Sequence, residues 1–191
     1  MKFALRVLAP LLGLLGCMSV PLTSLVPLSR IDIGTTDLAV LRVAITLPEA
    51  VKPHAGAVVM DAVSTIDSEP AQKTAFRLIE TDEAVYLLNV PAAAEPGFAT
   101  YVYRLSDDDL GRFDALRRTA LQQHAAGKAA SLGFGIATDE FCTLGPLPAG
   151  PLLTTTYLLT SETGRYVVVT DRVDLRAQPK VAPELAHLGR C

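Results

Sequence analysis

Three histidines are the first candidates for chemistry in this 191-residue chain, together with three cysteines. His54, His124 and His187 stand about 60 to 70 residues apart and form no H-x-x-x-H pair, and no C-x-x-C is present. The sequence therefore predicts no metal site. It also contains no G-x-S-x-G elbow, no Walker loop and no complete dinucleotide fingerprint. We accordingly expect no cofactor, and the absence of a catalytic motif favours a protein that is not an enzyme.

Cys17 ends an apolar run at the start of the chain. Lys2 and Arg6 are followed by ten residues without a charge, VLAPLLGLLG, which is the pattern of an export signal. The tetrad Leu14-Leu15-Gly16-Cys17 resembles the lipobox of bacterial lipoproteins. The resemblance covers only residues 1–17, so it implies nothing about the fold. It implies that the Cys17 thiol carries a diacylglycerol, that the chain is cut before Cys17 and that the new amine is acylated, since two or more acyl chains anchor a protein stably.

The residue after Cys17 bears on which membrane would hold the protein. In enterobacterial lipoproteins an Asp at this position suggests retention at the inner membrane, and this chain has Met18 instead. The resemblance therefore favours an outer-membrane lipoprotein that faces the periplasm, with the inner membrane as the alternative. Two other interpretations remain open: an uncleaved anchor over residues 7–26, which Pro10 and Pro21 interrupt, and a plain cleaved signal. All three place the chain after Cys17 outside the cytoplasm.

Cys142 and Cys191 are the two remaining cysteines. Cysteines of an exported chain usually pair, because the compartment is oxidising. A bridge between them would close a loop of about 50 residues, worth on the order of 4 kcal/mol in the chain-entropy model. The alternative is a reactive Cys142, which neighbouring Asp139 and Glu140 disfavour because they suppress the thiolate. We therefore predict a disulfide.

Length and charge set the domain organisation and exclude one class of partner. Removing the first 16 of 191 residues leaves 175, enough for one domain with a core. We expect residues 17–35, rich in proline and hydroxyl residues, to be an extended tether, and residues 36–191 to form a single domain. The formal charge of −3 would become −5 once Lys2 and Arg6 are removed. No basic stripe is present, so a nucleic acid partner is not expected.

One amphipathic helix is predicted, over residues 106–127. Ser106 is a suitable N-cap, the acids of Asp107–Asp109 suit the first turn, and Gly127 suits the end. These three signals agree.

Arg117 and His124 fall inside the apolar stripe of this helix, where charged side chains are rare without a partner. Two interpretations stay open. In the first, Arg117 pairs with Asp114 one turn earlier and His124 lies at the rim. In the second, Arg117 and His124 line a polar pocket between the helix and a sheet.

Strand-like segments account for most of the remaining chain. They are residues 41–47, 57–66, 75–81, 85–90, 98–105 and 131–138, and a hairpin over 153–171. Apolar and polar residues alternate over 41–47, which predicts a strand buried on one face. In the 131–138 segment, Gly133 and Gly135 would face the helix, and Leu132 and Phe134 the core. The sequence thus predicts a mostly-β α+β fold: an antiparallel β-sandwich of about seven or eight strands with the helix at 106–127.

Three functions are compatible with this sequence. The leading hypothesis is a non-enzymatic binding or assembly module, lipid-anchored in the envelope and held to a protein partner. The alternative is a carrier whose cavity between sheet and helix holds an apolar ligand or lipid. The third is a hydrolase with an unrecognised site that uses Arg117, His124 or Glu140.

Overall fold

The computed structural model describes residues 21–91, 93, 95–138 and 140–191. Cys17, with the whole predicted signal, lies outside these residues. The helices are α1 (Leu22–Leu28), α2 (Ala84–Leu87), α3 (Asp107–Ala125) and α4 (Ala182–Leu185), and a 3-10 helix (Leu175–Ala177) precedes α4. None of the helices in the described residues is long and apolar enough to span a bilayer.

Within these described residues, ten strands form three antiparallel sheets. They are β1 (Arg42–Pro48), β2 (Val51–Pro53), β3 (Val59–Ile66), β4 (Gln72–Arg77), β5 (Ile79–Thr81), β6 (Phe98–Arg104), β7 (Ala130–Ala137), β8 (Phe141–Thr143), β9 (Leu153–Leu159) and β10 (Val167–Asp174). The sheet orders are β10-β9-β1-β6-β5, β4-β3-β7 and β2-β8. The mostly-β α+β class is therefore confirmed. The strand number exceeds the predicted one because the 75–81 segment divides into β4 and β5, and because β2 and β8 are too short to show a period.

The five-stranded and three-stranded sheets share one main core. Its fully buried residues come from both sheets and from α3, and include Val43, Ile45, Leu47, Met60, Ala62, Phe76, Tyr103, Phe113 and Leu158. Side chains from two sheets that meet in one core are the arrangement of a sandwich.

The prediction that β1 is buried on only one face is wrong. All seven of its residues are buried. A second, smaller cluster covers the other face of the five-stranded sheet, where Ala44 packs with Val102 and Tyr157. The sequence misled because the two polar residues of β1, Arg42 and Thr46, are themselves buried and paired. The Thr46 hydroxyl, for example, lies 3.0 Å from that of Thr100.

The prediction of a strand at residues 85–90 is also wrong. This segment forms α2 and a following turn, and its Tyr86, Leu87 and Val90 pack in the second cluster. The guanidinium of Arg42 lies 4.1 Å from the centroid of the Tyr86 ring, a cation–π contact that fixes the segment to the sheet. A short apolar run cannot be assigned to strand or helix by periodicity alone.

Helix α3 matches its prediction closely. The Ser106 side chain accepts a hydrogen bond from the Asp109 N–H at 3.1 Å, so Ser106 is the N-cap. Fully buried Phe113 points into the core, where its ring centroid lies 5.1 Å from that of Phe76. Phe113 therefore fastens the helix to the three-stranded sheet through β4.

The glycine face of β7 does not meet the helix, contrary to prediction. A Cβ atom built on Gly133 or Gly135 would have no heavy atom within 4 Å. The other face behaves as predicted, because Leu132, Phe134 and Ile136 pack against the main core. The helix and these apolar residues lie on the same side of β7, which leaves the glycines on its solvent-exposed face.

The part of the predicted tether that the structure describes is not extended. Residues Leu22–Leu28 form α1, which contacts β10, and Leu28, Ile31 and Ile33 pack against the main core. The apolar side chains of residues 28–33 are partly buried by tertiary contacts, which the sequence pattern could not reveal. Residues 17–20 lie outside the described part of the chain.

Candidate ligand-binding cleft

The two sides of the sandwich are built differently. On the closed side, the chain passes directly from β4 to β5 through buried Leu78, whose N–H donates to the Val58 carbonyl at 2.8 Å. On the open side, the edge strands are β7 and β10. Within the described residues β7 pairs with β3 and β10 with β9, and no ladder joins β7 to β10. A gap between the sheets therefore remains on the open side.

A large groove of about 530 Å³ occupies this gap. The apolar residues that line it are Ile45, Ile136, Ala137, Val173, Leu175, Pro179 and Val181. The polar residues that line it are Thr138, Thr154, Thr156, Thr170, Gln178 and Lys180. We call it the mixed groove.

A second groove of about 300 Å³ adjoins the first. Every residue that lines it is apolar: Leu28, Ile31, Ile33, Leu132, Gly133, Phe134, Gly135, Ile136, Leu158 and Val169. We call it the apolar groove. Ile136 lines both grooves, so the two form one cleft along the open side.

The strand period explains the hydroxyl groups that line the mixed groove. In β9, Thr154 and Thr156 point into the groove, and Thr155 between them points to the opposite face, where its Oγ1 accepts from the Arg172 N–H at 3.1 Å. Strand β10 is irregular, with register shifts on both sides of Thr170. Bulges of this kind are common on edge strands, and here they accompany the placement of Thr170 and Val173 in the same groove.

Two polar groups in the mixed groove differ from the rest. The Thr138 Oγ1 is buried and has no hydrogen-bond partner among the described residues. Lys180 is exposed at the rim. A buried hydroxyl without a partner carries a desolvation penalty of about 1–3 kcal/mol.

Arg117 and His124, the predicted pocket residues, line a different groove of about 240 Å³ between α3, the start of β7 and residues 32–34. Arg117 donates to the Thr36 carbonyl at 2.7 Å and pairs with Asp114 one turn earlier. The guanidinium thus pairs with Asp114, as the first interpretation proposed. It also lines a groove between the helix and a sheet, as the second proposed. With its charge already paired, Arg117 is poorly placed to act on a substrate.

No metal centre is visible in the part of the chain that the structure describes. It contains no group of three or more histidine, cysteine or acidic residues that could hold an ion.

The structure places the Cys142 and Cys191 sulfur atoms 2.11 Å apart, at disulfide distance, as the sequence predicts. Cys142 lies in β8, which follows β7, and Cys191 ends the segment that follows β10. The Cys191 N–H also donates to the Thr143 carbonyl at 3.1 Å. The disulfide therefore connects the continuations of the two strands that border the cleft.

Each of the two hydrophobic clusters contains a buried tyrosine, Tyr103 in the main core and Tyr166 in the second cluster. The hydroxyls of Tyr103 and Tyr166 are buried without a hydrogen-bond partner in the described residues. Burial raises the pKa of Tyr166 to about 12, although the Arg42 guanidinium opposes this shift. Burial, reinforced by the Glu80 carboxylate, raises the pKa of Tyr103 well above its usual range. Both phenols therefore stay neutral at physiological pH.

Sequence reasoning missed the cleft. The one available signal was the run of three consecutive threonines at 154–156, which the high strand propensity of threonine also explains. The loop residues Gln178 and Lys180 carry no pattern that would place them opposite β7. Tertiary structure alone brings these elements together.

Comparison with known proteins does not identify the cleft. No family model, no curated protein and no solved structure matches this chain.

Proposed function

We propose that this chain is a lipid-anchored protein of the bacterial envelope that carries an apolar ligand in the cleft between β7 and β10. The observation that carries the proposal is the pair of grooves, of about 530 and 300 Å³, that meet at Ile136. Ligand sites typically enclose about 300–1,000 Å³ and are mostly apolar with a few polar groups. A completely filled sandwich would have left no room for a ligand.

The lining of the cleft supports an apolar ligand rather than a reaction. Apolar contact stabilises a bound molecule by about 25 cal/mol for each Å² removed from water. The threonine hydroxyls can orient a ligand through hydrogen bonds. Among the described residues that line the two grooves there is no histidine, which could otherwise activate such a hydroxyl as a nucleophile. Binding without chemistry is what these side chains offer.

The anchor proposal rests on the lipobox-like residues that end at Cys17. Only residues 18–21 separate Cys17 from α1. Fully extended, the five-residue step from Cys17 to Leu22 spans at most about 18 Å. Leu28, the last residue of α1, borders the cleft. A lipid on Cys17 would thus hold the cleft close to the bilayer. We propose that this bilayer is the outer membrane and that the domain faces the periplasm.

The ligand proposal is tested by extracting and identifying lipids that co-purify with the protein. Val169 lines the apolar groove, so Val169→Trp should fill it and remove the co-purified lipid. Val63→Trp is the matched control, because Val63 lies exposed on β3 outside both grooves. Circular dichroism establishes that each variant folds. Recovery of no lipid from the folded wild-type protein, or of equal amounts from both variants, would contradict the carrier proposal.

The anchor proposal is tested separately by metabolic labelling with palmitate and by intact mass. We expect the mature chain to begin at Cys17 and to carry label, and Cys17→Ser to abolish both. A chain that keeps Met1 and an unmodified Cys17 would rule out the anchor and leave the cleft proposal standing.

A second candidate is the assembly module held to a protein partner. The observation in its favour is a pair of exposed apolar residues on and beside α2, Val85 at 60% and Leu88 at 79% exposure. Exposed apolar patches can mark protein contacts. Crosslinking in intact envelopes should capture a partner through the wild-type chain and not through the double variant Val85→Ser, Leu88→Ser; recovery of no partner would dismiss this candidate.

A further inference from the structure

We infer that the ligand is a single-chain anionic amphiphile, with its acyl chain in the apolar groove and its acidic headgroup near Lys180 in the mixed groove. This inference rests on the proposed carrier function and names the class of ligand. The shared chemistry is one acyl chain with an anionic head, which a free fatty acid and a lysophospholipid both provide.

The first argument is the change in polarity along the cleft. The ten residues of the apolar groove include no charged or hydrogen-bonding side chain. Beyond Ile136, the mixed groove adds four threonines, Gln178 and Lys180. A molecule that occupies both grooves must therefore be apolar at one end and polar at the other, because a polar group in the apolar groove would lose its hydrogen bonds to water.

The second argument is the sign of the charge. Lys180 is the only charged residue that lines either groove in the described part of the chain, and no carboxylate lines them there. Its exposed position keeps the ammonium hydrated in the empty protein. A headgroup oxygen at the rim can accept a charge-assisted hydrogen bond from Lys180. Thr138 lines the same groove, but its Oγ1 is buried in the described structure, so Lys180 is the group that carries the argument.

The third argument is size. The apolar groove holds about 300 Å³, the lower end of the range of about 300–1,000 Å³ for ligand sites. One acyl chain suits this space better than the two chains of a phospholipid. The remainder of the cleft then accommodates the headgroup.

The test uses the mature lipidated protein in phosphatidylcholine nanodiscs, with palmitic acid that carries a diazirine at the end of its chain as the probe. Light should attach the probe to peptides that contain residues 28–33 or 132–136, which line the apolar groove. Unlabelled palmitate, 16-carbon lysophosphatidic acid and hexadecanol are the competitors. We expect both acids to displace the probe at concentrations about tenfold lower than the neutral alcohol, since a charge-assisted hydrogen bond is about twice as strong as a neutral one.

Variants assign the headgroup site. Lys180→Gln should weaken palmitate binding about tenfold, and Lys180→Arg should restore most of it, because the charge is kept. Lys128→Gln is the matched control, since exposed Lys128 lines neither groove.

The outcomes separate this inference from the proposed function. Displacement by hexadecanol as strong as by the acids, or unchanged binding in Lys180→Gln, would overturn the anionic headgroup and leave the carrier in place. Absence of crosslinking in the folded protein would instead count against the carrier itself. If palmitate is the stronger of the two acids, the headgroup is a carboxylate; if lysophosphatidic acid is stronger, it is a phosphate. Both results support the inference.

Discussion

The two sheets of the sandwich meet differently at their two edges, which are the closed side and the open side. On the closed side the chain itself joins the sheets, because β4 and β5 are separated only by Leu78, which is 1% exposed. On the open side, β7 and β10 end at a cleft, and the segments after them are joined by the Cys142–Cys191 disulfide.

The difference teaches where stability and binding can reside. A side filled by core residues gains packing energy and leaves no space. On the open side no strand pairing joins β7 to β10 in the described residues, so the apolar lining of the cleft remains available to a ligand. The disulfide adds stability chiefly by restricting the unfolded chain.

The largest effect is expected from the disulfide. Replacement of both cysteines, Cys142→Ala and Cys191→Ala, removes a link with a sequence separation of 49 and should lower the free energy of unfolding by about 4 kcal/mol. Urea unfolding measures this loss. The same variant, if folded, should release the cleft ligand, because the segments after β7 and β10 are no longer tied. A double variant as stable as the wild type would show that the disulfide does not hold the open side.

A smaller loss should distinguish the two sides directly. Leu78→Ala removes a fully buried side chain and should cost about 3 kcal/mol in unfolding free energy. Val173→Ala trims a half-buried side chain of the mixed groove and should cost about 1 kcal/mol or less. Urea midpoints at constant slope test both. Equal costs would contradict the difference between a packed side and an open one.

Alkaline pH should destabilise the second cluster, which lies away from both sides. Tyr166 has a pKa of about 12 in the folded chain against 10.0 for the free phenol. The folded protein thus holds this proton more tightly, so the stabilisation is complete below pH 10 and is lost as the pH rises towards 12. Tyr166→Phe should show a shallower decline of unfolding free energy over this interval. Parallel curves for the two proteins would show that the phenol does not contribute.

The smallest effect concerns the glycine face of β7. A Cβ on Gly135 would meet nothing within 4 Å, and its backbone is not among the positive-φ glycines. Gly135→Ala should therefore stabilise the protein by about 0.5 kcal/mol, mainly by restricting the unfolded chain. Thermal unfolding detects the shift. A clear destabilisation would instead mean that something packs closely on this face.

Prediction from the sequence succeeded where local signals agree. Helix α3 was predicted nearly to its ends because Ser106, the acidic first turn and Gly127 are all local signals. It failed for β1 and for the 85–90 segment. These two segments are distant in sequence but pack in the same cluster, so each contributes to the burial of the other. The glycines of β7 were assigned to the wrong partner for the same reason, since sequence spacing does not reveal which face a helix will cover.

The sequence by itself determined the mostly-β class, the helix at α3 and the pairing of Cys142 with Cys191, and it carries the lipobox-like residues before Cys17. These features depend on short-range periodicity, on capping chemistry and on the number of cysteines. Only the tertiary structure decided that β7 and β10 stay apart, that residues 28–33 pack beside them and that Lys180 stands at the rim. The physical reason is that a cleft arises from the packing of elements distant in sequence, and no single element encodes the space between them.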